Sequence, residues 1–166
     1  MCELSLAEDL ETRFRAYIAN EGQEEVAQLL NEEHVVLGLT DAGAHADQLC
    51  DAPLPTDLLG NWVRDREILP LERAVRKLTG EPADVFAFER RGYLREGYFA
   101  DVCVFDPATV EPGPMHRLRD LPANGERLTA EEPNGVRHVL VNRELIRRDE
   151  SQLSLEEMPG ARPLLR

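Results

Sequence analysis

Residues 34–45 have the sequence HVVLGLTDAGAH, in which a short apolar run is followed by a polar turn that contains glycine. The run is rich in β-branched residues and does not alternate between apolar and polar, which is typical of a strand covered on both faces. We therefore expect a buried parallel strand at residues 35–39 and a loop from Thr40 onward. One carboxylate, Asp41, follows this strand directly.

Helical spacing of apolar residues is found on both sides of the expected strand. Residues 5–31 predict two helices with a break near residues 20–22. Thr56 is a candidate N-cap for a helix over residues 58–63, and two of the expected core side chains are Trp62 and Phe86.

Proline and glycine mark the next helices. Pro70 suits the first turn of a helix that Gly80 ends, and Pro82 opens a further short turn. The order of helix, strand, helix and helix over residues 1–88 is typical of an α/β domain.

The pattern changes after about residue 90. Residues 100–105 predict a strand, and residues 136–141 with 144–146 predict a hairpin that turns at residues 142–143. Between them we expect a long proline- and glycine-bearing loop over residues 111–134. The last twenty residues predict a weakly ordered tail.

Composition limits the classes of partner and the compartment. The 166 residues include 32 acidic and 19 basic residues, a formal charge of -13, which argues against nucleic acid or anionic membrane as a partner. Three cysteines without CxxC spacing favour a reducing cytoplasm. An acidic N-terminus and the lack of a long apolar stretch argue against export and membrane insertion.

Two stretches resemble a known family. The first is LTDAGAH at residues 39–45, with LCDA at residues 49–52 and the expected helix after it. The second is RGYLREGYFADVCVFDP at residues 91–107, with VLVN at residues 139–142 behind it. Together they are similar to the C-terminal part of the D-aminoacylase branch of the amidohydrolase superfamily, over about residues 10 to 150. The first stretch is the more specific, since many amidohydrolases share the second.

The resemblance implies an α/β fold: the C-terminal part of a (β/α)8 barrel, whose eighth strand is residues 35–39, plus strands of a small β-sandwich. It divides the chain into barrel (residues 1–88), sandwich (89–150) and tail (151–166). The family's hairpin has glycine where this chain has Arg143. Since a type I′ turn requires positive φ at that position, we expect a distorted turn or another type.

The resemblance also implies a chemistry. Active sites of such barrels lie at the carboxyl ends of the strands. In the family the aspartate at the position of Asp41 contacts a zinc site and accepts the proton of the metal-bound water as it attacks the amide of an N-acyl-D-amino acid. A carboxylate beside a Lewis-acidic cation suits this role, because the metal lowers the pKa of its water to about 7. His45 is a candidate substrate-binding residue.

Most of the family's metal ligands are missing from the sequence. The family begins its site with His-x-His, but no two of the four histidines here are separated by one residue. Zinc catalysis needs about three protein ligands, and a barrel takes roughly 250 residues. We therefore expect a truncated or split gene product, or a piece of a longer protein, that is inactive alone. Unpaired strand edges then predict a homo-oligomer or pairing with a missing N-terminal half.

Simpler explanations exist for each candidate residue. Asp41 before Ala-Gly is also typical of a loop residue or a helix N-cap, and His45 of a hydrogen-bonded loop residue. Cys50 is better explained as a structural thiol than as a nucleophile, because no histidine is placed as its base. The alternative function is a non-catalytic module that oligomerises or complements a separate half.

Overall fold

A computed structural model describes residues 2–14 and 19–154 of the chain. Contacts divide it into two compact units, Met1–Glu32 and Glu33–Arg166. The first unit contains helices α1 (Cys2–Ala7) and α2 (Gln23–Asn31). The second predicted helix is confirmed, because α2 begins directly after Gly22. The first predicted helix is wrong beyond Ala7, because α1 ends there and residues 11–14 are not helical. Part of the predicted first helix, residues 15–18, lies outside the described residues.

Four helices open the second unit: α3 (Leu54–Asp57), a π-helix (Leu58–Asp65), α4 (Leu71–Leu78) and α5 (Gly80–Val85). Thr56 was wrongly predicted as an N-cap. It lies inside α3, where its hydroxyl donates to the Pro53 carbonyl at 2.9 Å. Pro70 does precede the first turn of α4 as predicted.

The core of this unit lies between the helices and the loop at Val110. Gly60 of the π-helix approaches that loop so closely that a Cβ atom there would lie 2.5 Å from the Val110 carbonyl oxygen. Arg64 donates to the same oxygen at 2.7 Å. The loop is therefore fixed to the helices by packing and by a hydrogen bond. The buried apolar residues of this core are Leu58, Leu59, Leu69, Ala74, Ala83 and Val110.

The expected core role of Phe86 is wrong. Its side chain is 66% exposed and stacks on Phe88, with ring centroids 5.9 Å apart. The helix α5 ends at Val85, which is itself 58% exposed, so Phe86 lies beyond the helix and outside the core. Trp62 is half-buried, with the Arg66 guanidinium 5.1 Å from its ring centroid.

A four-stranded antiparallel sheet has the order β1 (Val102–Phe105), β4 (Val136–Val141), β5 (Glu144–Arg148), β6 (Ser151–Gln152). The predicted strand before Asp106 and the hairpin at residues 142–143 are confirmed. Asn142 and Arg143 have φ of 50° and 74°. Positive φ at both positions is the type I′ pattern, so the expectation of another turn type is wrong. The alternative expectation, a distorted turn, stays a prediction.

A second antiparallel hairpin, β2 (Met115–Leu121) and β3 (Gly125–Ala130), occupies the segment that we expected to be a loop. Its turn is a 3-10 segment, Pro122–Asn124, in which Ala123 and Asn124 have positive φ. The first of the last twenty residues are in strands and not weakly ordered, because β5 continues to Arg148 and β6 follows. Residues 155–166 of the expected tail lie outside the described residues.

The expected eighth barrel strand at residues 35–39 is not a strand in the structure. These residues are irregular, and Leu39 is 81% exposed. A parallel strand needs neighbouring strands for its hydrogen bonds, and no strand within residues 19–154 pairs with this segment.

The expected α/β class is confirmed at the level of a partial fold, with helices followed by antiparallel strands. The division at residues 88 and 89, and the separate tail from residue 151, stay predictions. Among the helices of the described ranges, none has the length and apolar character needed to cross a membrane.

The hydrogen bonds of Asp106 should make a pH-dependent contribution to the free energy of unfolding. The Ala108 amide donates to its carboxylate at 3.0 Å and Arg137 donates at 2.9 Å, which together hold the pKa of Asp106 below its ordinary value of 3.8. A lowered pKa stabilises the fold at neutral pH, and this stabilisation disappears as the pH falls through the folded-state pKa. Asp106→Asn should therefore reduce the free energy of unfolding at neutral pH and change it little in strong acid.

Urea denaturation at both pH values measures this difference. Asp149→Asn is the matched control, because the Asp149 side chain is 81% exposed and lies 3.8 Å from His138. An equal loss for Asp106→Asn at neutral and strongly acidic pH contradicts the prediction.

Candidate active-site loop at Asp41

Asp41 begins an exposed turn that runs through residue 48. Its φ of 53° lies in the left-handed region, which aspartate tolerates better than most residues. The Asp41 carbonyl accepts from the Ala44 amide at 3.0 Å, and the Thr40 hydroxyl accepts from the Ala42 amide at 3.4 Å. Neither bond uses the side chain of Asp41, which is exposed.

His45 lies on the same turn, four residues after Asp41, and is exposed. Its backbone carbonyl accepts hydrogen bonds from the amides of Gln48 at 2.9 Å and Leu49 at 3.0 Å. The structure therefore places both predicted site residues in one exposed turn. The role of each side chain stays a prediction.

A buried lysine holds the segment that leads to Asp41. Lys77 of α4 is the only lysine of the chain and is 2% exposed. Its ammonium donates to the Val35 carbonyl at 2.6 Å and lies 3.4 Å from the Glu81 carboxylate. This charge-assisted bond uses the carbonyl that a parallel strand would have offered to a neighbouring strand.

The β2–β3 hairpin holds the other end of the loop. The Leu128 amide donates to the Ala46 carbonyl at 2.7 Å, and Arg117 donates to the Asp47 carbonyl at 2.6 Å. Arg117 also donates to Glu126 at 2.8 Å. Asp41 therefore lies between two anchored segments that belong to one compact unit.

The described residues of this chain do not assemble a site for a zinc ion by themselves. Within the described ranges, no three side chains of His, Cys, Asp or Glu lie close enough together to hold a metal. Two of the histidines lie beside acidic neighbours on the hairpins, His116 at 3.7 Å from Glu131 and His138 at 3.8 Å from Asp149.

Sequence reasoning missed both anchors of the loop. Lys77 lies three residues after Ala74, so the two share a helix face. A lysine on the buried face of a helix indicates a buried polar contact, and this signal was available in the sequence. Arg117 and Leu128 had no comparable signal, because the hairpin that carries them was not predicted. Cys50, at the end of the loop, is a buried free thiol, consistent with its expected structural role.

Comparison with known proteins identifies relatives of this chain. A family model described as "Amidohydrolase family" matches residues 2–146. D-aminoacylase of Alcaligenes xylosoxydans xylosoxydans is 55% identical over 53 residues, covering 32% of this chain and 11% of the relative. N-acyl-D-glutamate deacylase of the same organism is 42% identical over 91 residues, covering 52% of this chain and 16% of the relative.

One solved structure is also similar. It is the N-acyl-D-glutamate deacylase of Bordetella bronchiseptica, complexed with zinc and a phosphonate inhibitor that mimics the tetrahedral intermediate. It is 37% identical, with a TM-score of 0.43, over 58% of this chain and 19% of that protein. The chain thus spans less than a fifth of each of these three relatives. Because the family model covers most of its length, the chain belongs to the amidohydrolase family.

Proposed function

We propose that this chain supplies the Asp41-bearing part of a hydrolase that cleaves the amide bond of N-acyl-D-amino acids. The observation that carries the proposal is the family match over residues 2–146, which includes the Asp41 loop. The names of the relatives, D-aminoacylase and N-acyl-D-glutamate deacylase, support the substrate class.

Asp41 is the proposed proton acceptor. Water attacks the amide carbon, its proton passes to the Asp41 carboxylate, and the same proton then reaches the amine that leaves when the C–N bond breaks. A positioned general base of this kind contributes about 10² to 10⁴ in rate. An exposed carboxylate on a turn anchored at both ends suits the role, because it is open to substrate and limited in its movement. His45, on the same turn, is the proposed contact to substrate.

Zinc belongs to the proposed complete enzyme, as it is bound by the Bordetella relative. The described residues of this chain do not assemble a site for it, so most ligands must come from other sequence. The proposed compartment is the cytoplasm, which the three free cysteines support.

The alternative function is a non-catalytic module that pairs with a second copy or with a separate N-terminal half. The observation behind it is a set of large exposed apolar side chains, because such side chains mark an interaction site where they form a contiguous patch. Light scattering at micromolar concentration tells a self-associating module from a monomeric chain, because a clean monomer counts against self-association. The exposed side chains concerned are Leu39 at 81%, Leu94 at 80% and Phe86 at 66%.

Assays of the chain alone and of a chimera test the proposed function. The purified chain with added zinc should not hydrolyse N-acetyl-D-amino acids, because it lacks a ligand cluster within the described residues. A chimera in which residues 33–146 replace the corresponding segment of the Alcaligenes D-aminoacylase, which matches this chain over 53 residues, should hydrolyse them. A folded, zinc-loaded chimera without turnover would reject the proposed function.

A further inference from the structure

We propose that the β2–β3 hairpin positions the Asp41 loop, and that Arg117 is the positioning residue through which it acts. Whether this positioning matters for catalysis rests on the proposed function. The mechanical part, that the hairpin sets the conformation of the loop, stands on contacts within this chain.

The hairpin contacts the loop through both of its strands. From β3, the Leu128 amide donates to the Ala46 carbonyl at 2.7 Å, and from β2, Arg117 donates to the Asp47 carbonyl at 2.6 Å. Successive parts of the loop therefore rest on one hairpin.

Arg117 is itself held in place. Its Nη1 atom donates both to the Asp47 carbonyl and to Glu126 Oε1 at 2.8 Å, and the Glu126 side chain is only 16% exposed. Because Arg117 and Glu126 are on opposite strands of the hairpin, their ion pair fixes the guanidinium relative to the β-ladder.

The anchored end of the loop is connected to Asp41 by a short chain of backbone hydrogen bonds. The Gln48 and Leu49 amides donate to the His45 carbonyl, and the Ala44 amide donates to the Asp41 carbonyl. A shift at Asp47 is therefore passed through a hydrogen-bonded turn and not through a slack segment. Releasing Arg117 should loosen the turn as far as Asp41.

Amide hydrogen exchange and carboxyl NMR on the full chain test this inference. Arg117→Met should speed exchange at the Ala44, Leu49 and Leu128 amides by about tenfold. This is the increase in exchange rate expected when the loop loses one charge-assisted hydrogen bond. It should also shift the side-chain carboxyl resonance of Asp41. Amides of β4 should keep their protection, which separates loop positioning from a general loss of stability.

Two further variants complete the design. Arg119→Met is the matched control, because Arg119 lies on the same strand and pairs with the same Glu126 at 3.5 Å, while its side chain is 56% exposed. It should change loop exchange less than about twofold, since exposed ion pairs contribute little. Arg117→Lys should restore part of the protection and part of the Asp41 resonance shift, and it serves if the methionine variant does not fold.

Equal exchange at the loop amides in Arg117→Met and the native chain would overturn the inference, as would equal loss in the Arg119 control. The experiment requires no turnover, so it fails independently of the proposed function. If Arg117 controls the loop but Asp41 proves dispensable in the active chimera, the function is wrong and the positioning role stands.

Discussion

Asp41→Asn should lower kcat of the active chimera by at least about 100-fold, the smaller end of what a general base contributes. Asparagine keeps the size of the side chain and its tolerance for the left-handed backbone at φ 53°. It removes only the ability to accept the proton of the attacking water. KM should change little, because the proposed role is in the reaction step and not in holding the substrate.

Asp47→Asn is the control for this variant. Asp47 is an exposed aspartate in the same turn, and its contact to Arg117 uses the backbone carbonyl, which the substitution leaves unchanged. Initial-rate kinetics on both variants give kcat and KM. Equal kcat for Asp41→Asn and Asp47→Asn would show that the proton acceptor is another group.

Lys77→Met should lower the free energy of unfolding by about 2 kcal/mol, the loss expected for a hydrogen bond made by a buried charged donor. Methionine fills most of the same volume, so the effect reports the lost bond to the Val35 carbonyl more than a cavity. The segment before Asp41 should lose its attachment to α4. Urea denaturation measures the free energy, and hydrogen exchange locates the loosened segment.

Arg76→Met is the matched control for Lys77. It removes a neighbouring cation of α4 that lies 3.9 Å from the same Glu81, but its side chain is 64% exposed. Exposed pairs of this kind contribute about 0 to 1 kcal/mol, so this variant should stay near the native stability. If both variants lose the same small amount, Lys77 does not anchor the segment.

Local patterns predicted the parts of the fold that depend on local forces. The start of α2 after Gly22, the Pro70 start of α4 and the hairpin at residues 142–143 each follow from backbone preferences of a few residues. The positive φ of Arg143 shows the limit of the same reasoning. There the Asp101 carboxylate accepts from the Asn142 amide at 2.7 Å, and the Ala100 carbonyl accepts from the Arg143 amide at 3.1 Å, so tertiary contacts support a turn that propensity disfavours.

Contacts between residues distant in sequence determine the parts of the fold that local patterns did not predict. Residues 35–39 have the composition of a buried strand, but a strand forms only beside another strand, and Lys77 takes the Val35 carbonyl instead. The β2–β3 hairpin was missed because charged residues hide its alternation, as in the stretch from His116 to Asp120. Family resemblance identified Asp41 as a candidate, whereas the two anchors of its loop became visible only in the folded chain.

The distance between Asp41 and a bound transition-state mimic tests the central claim most directly. A crystal structure of the chimera with a phosphonate mimic of the tetrahedral intermediate, the inhibitor class held by the Bordetella relative, supplies this distance. We predict an Asp41 carboxylate oxygen within about 3 Å of a phosphonate oxygen. A separation of more than about 6 Å, too long even for one bridging water, would contradict the account.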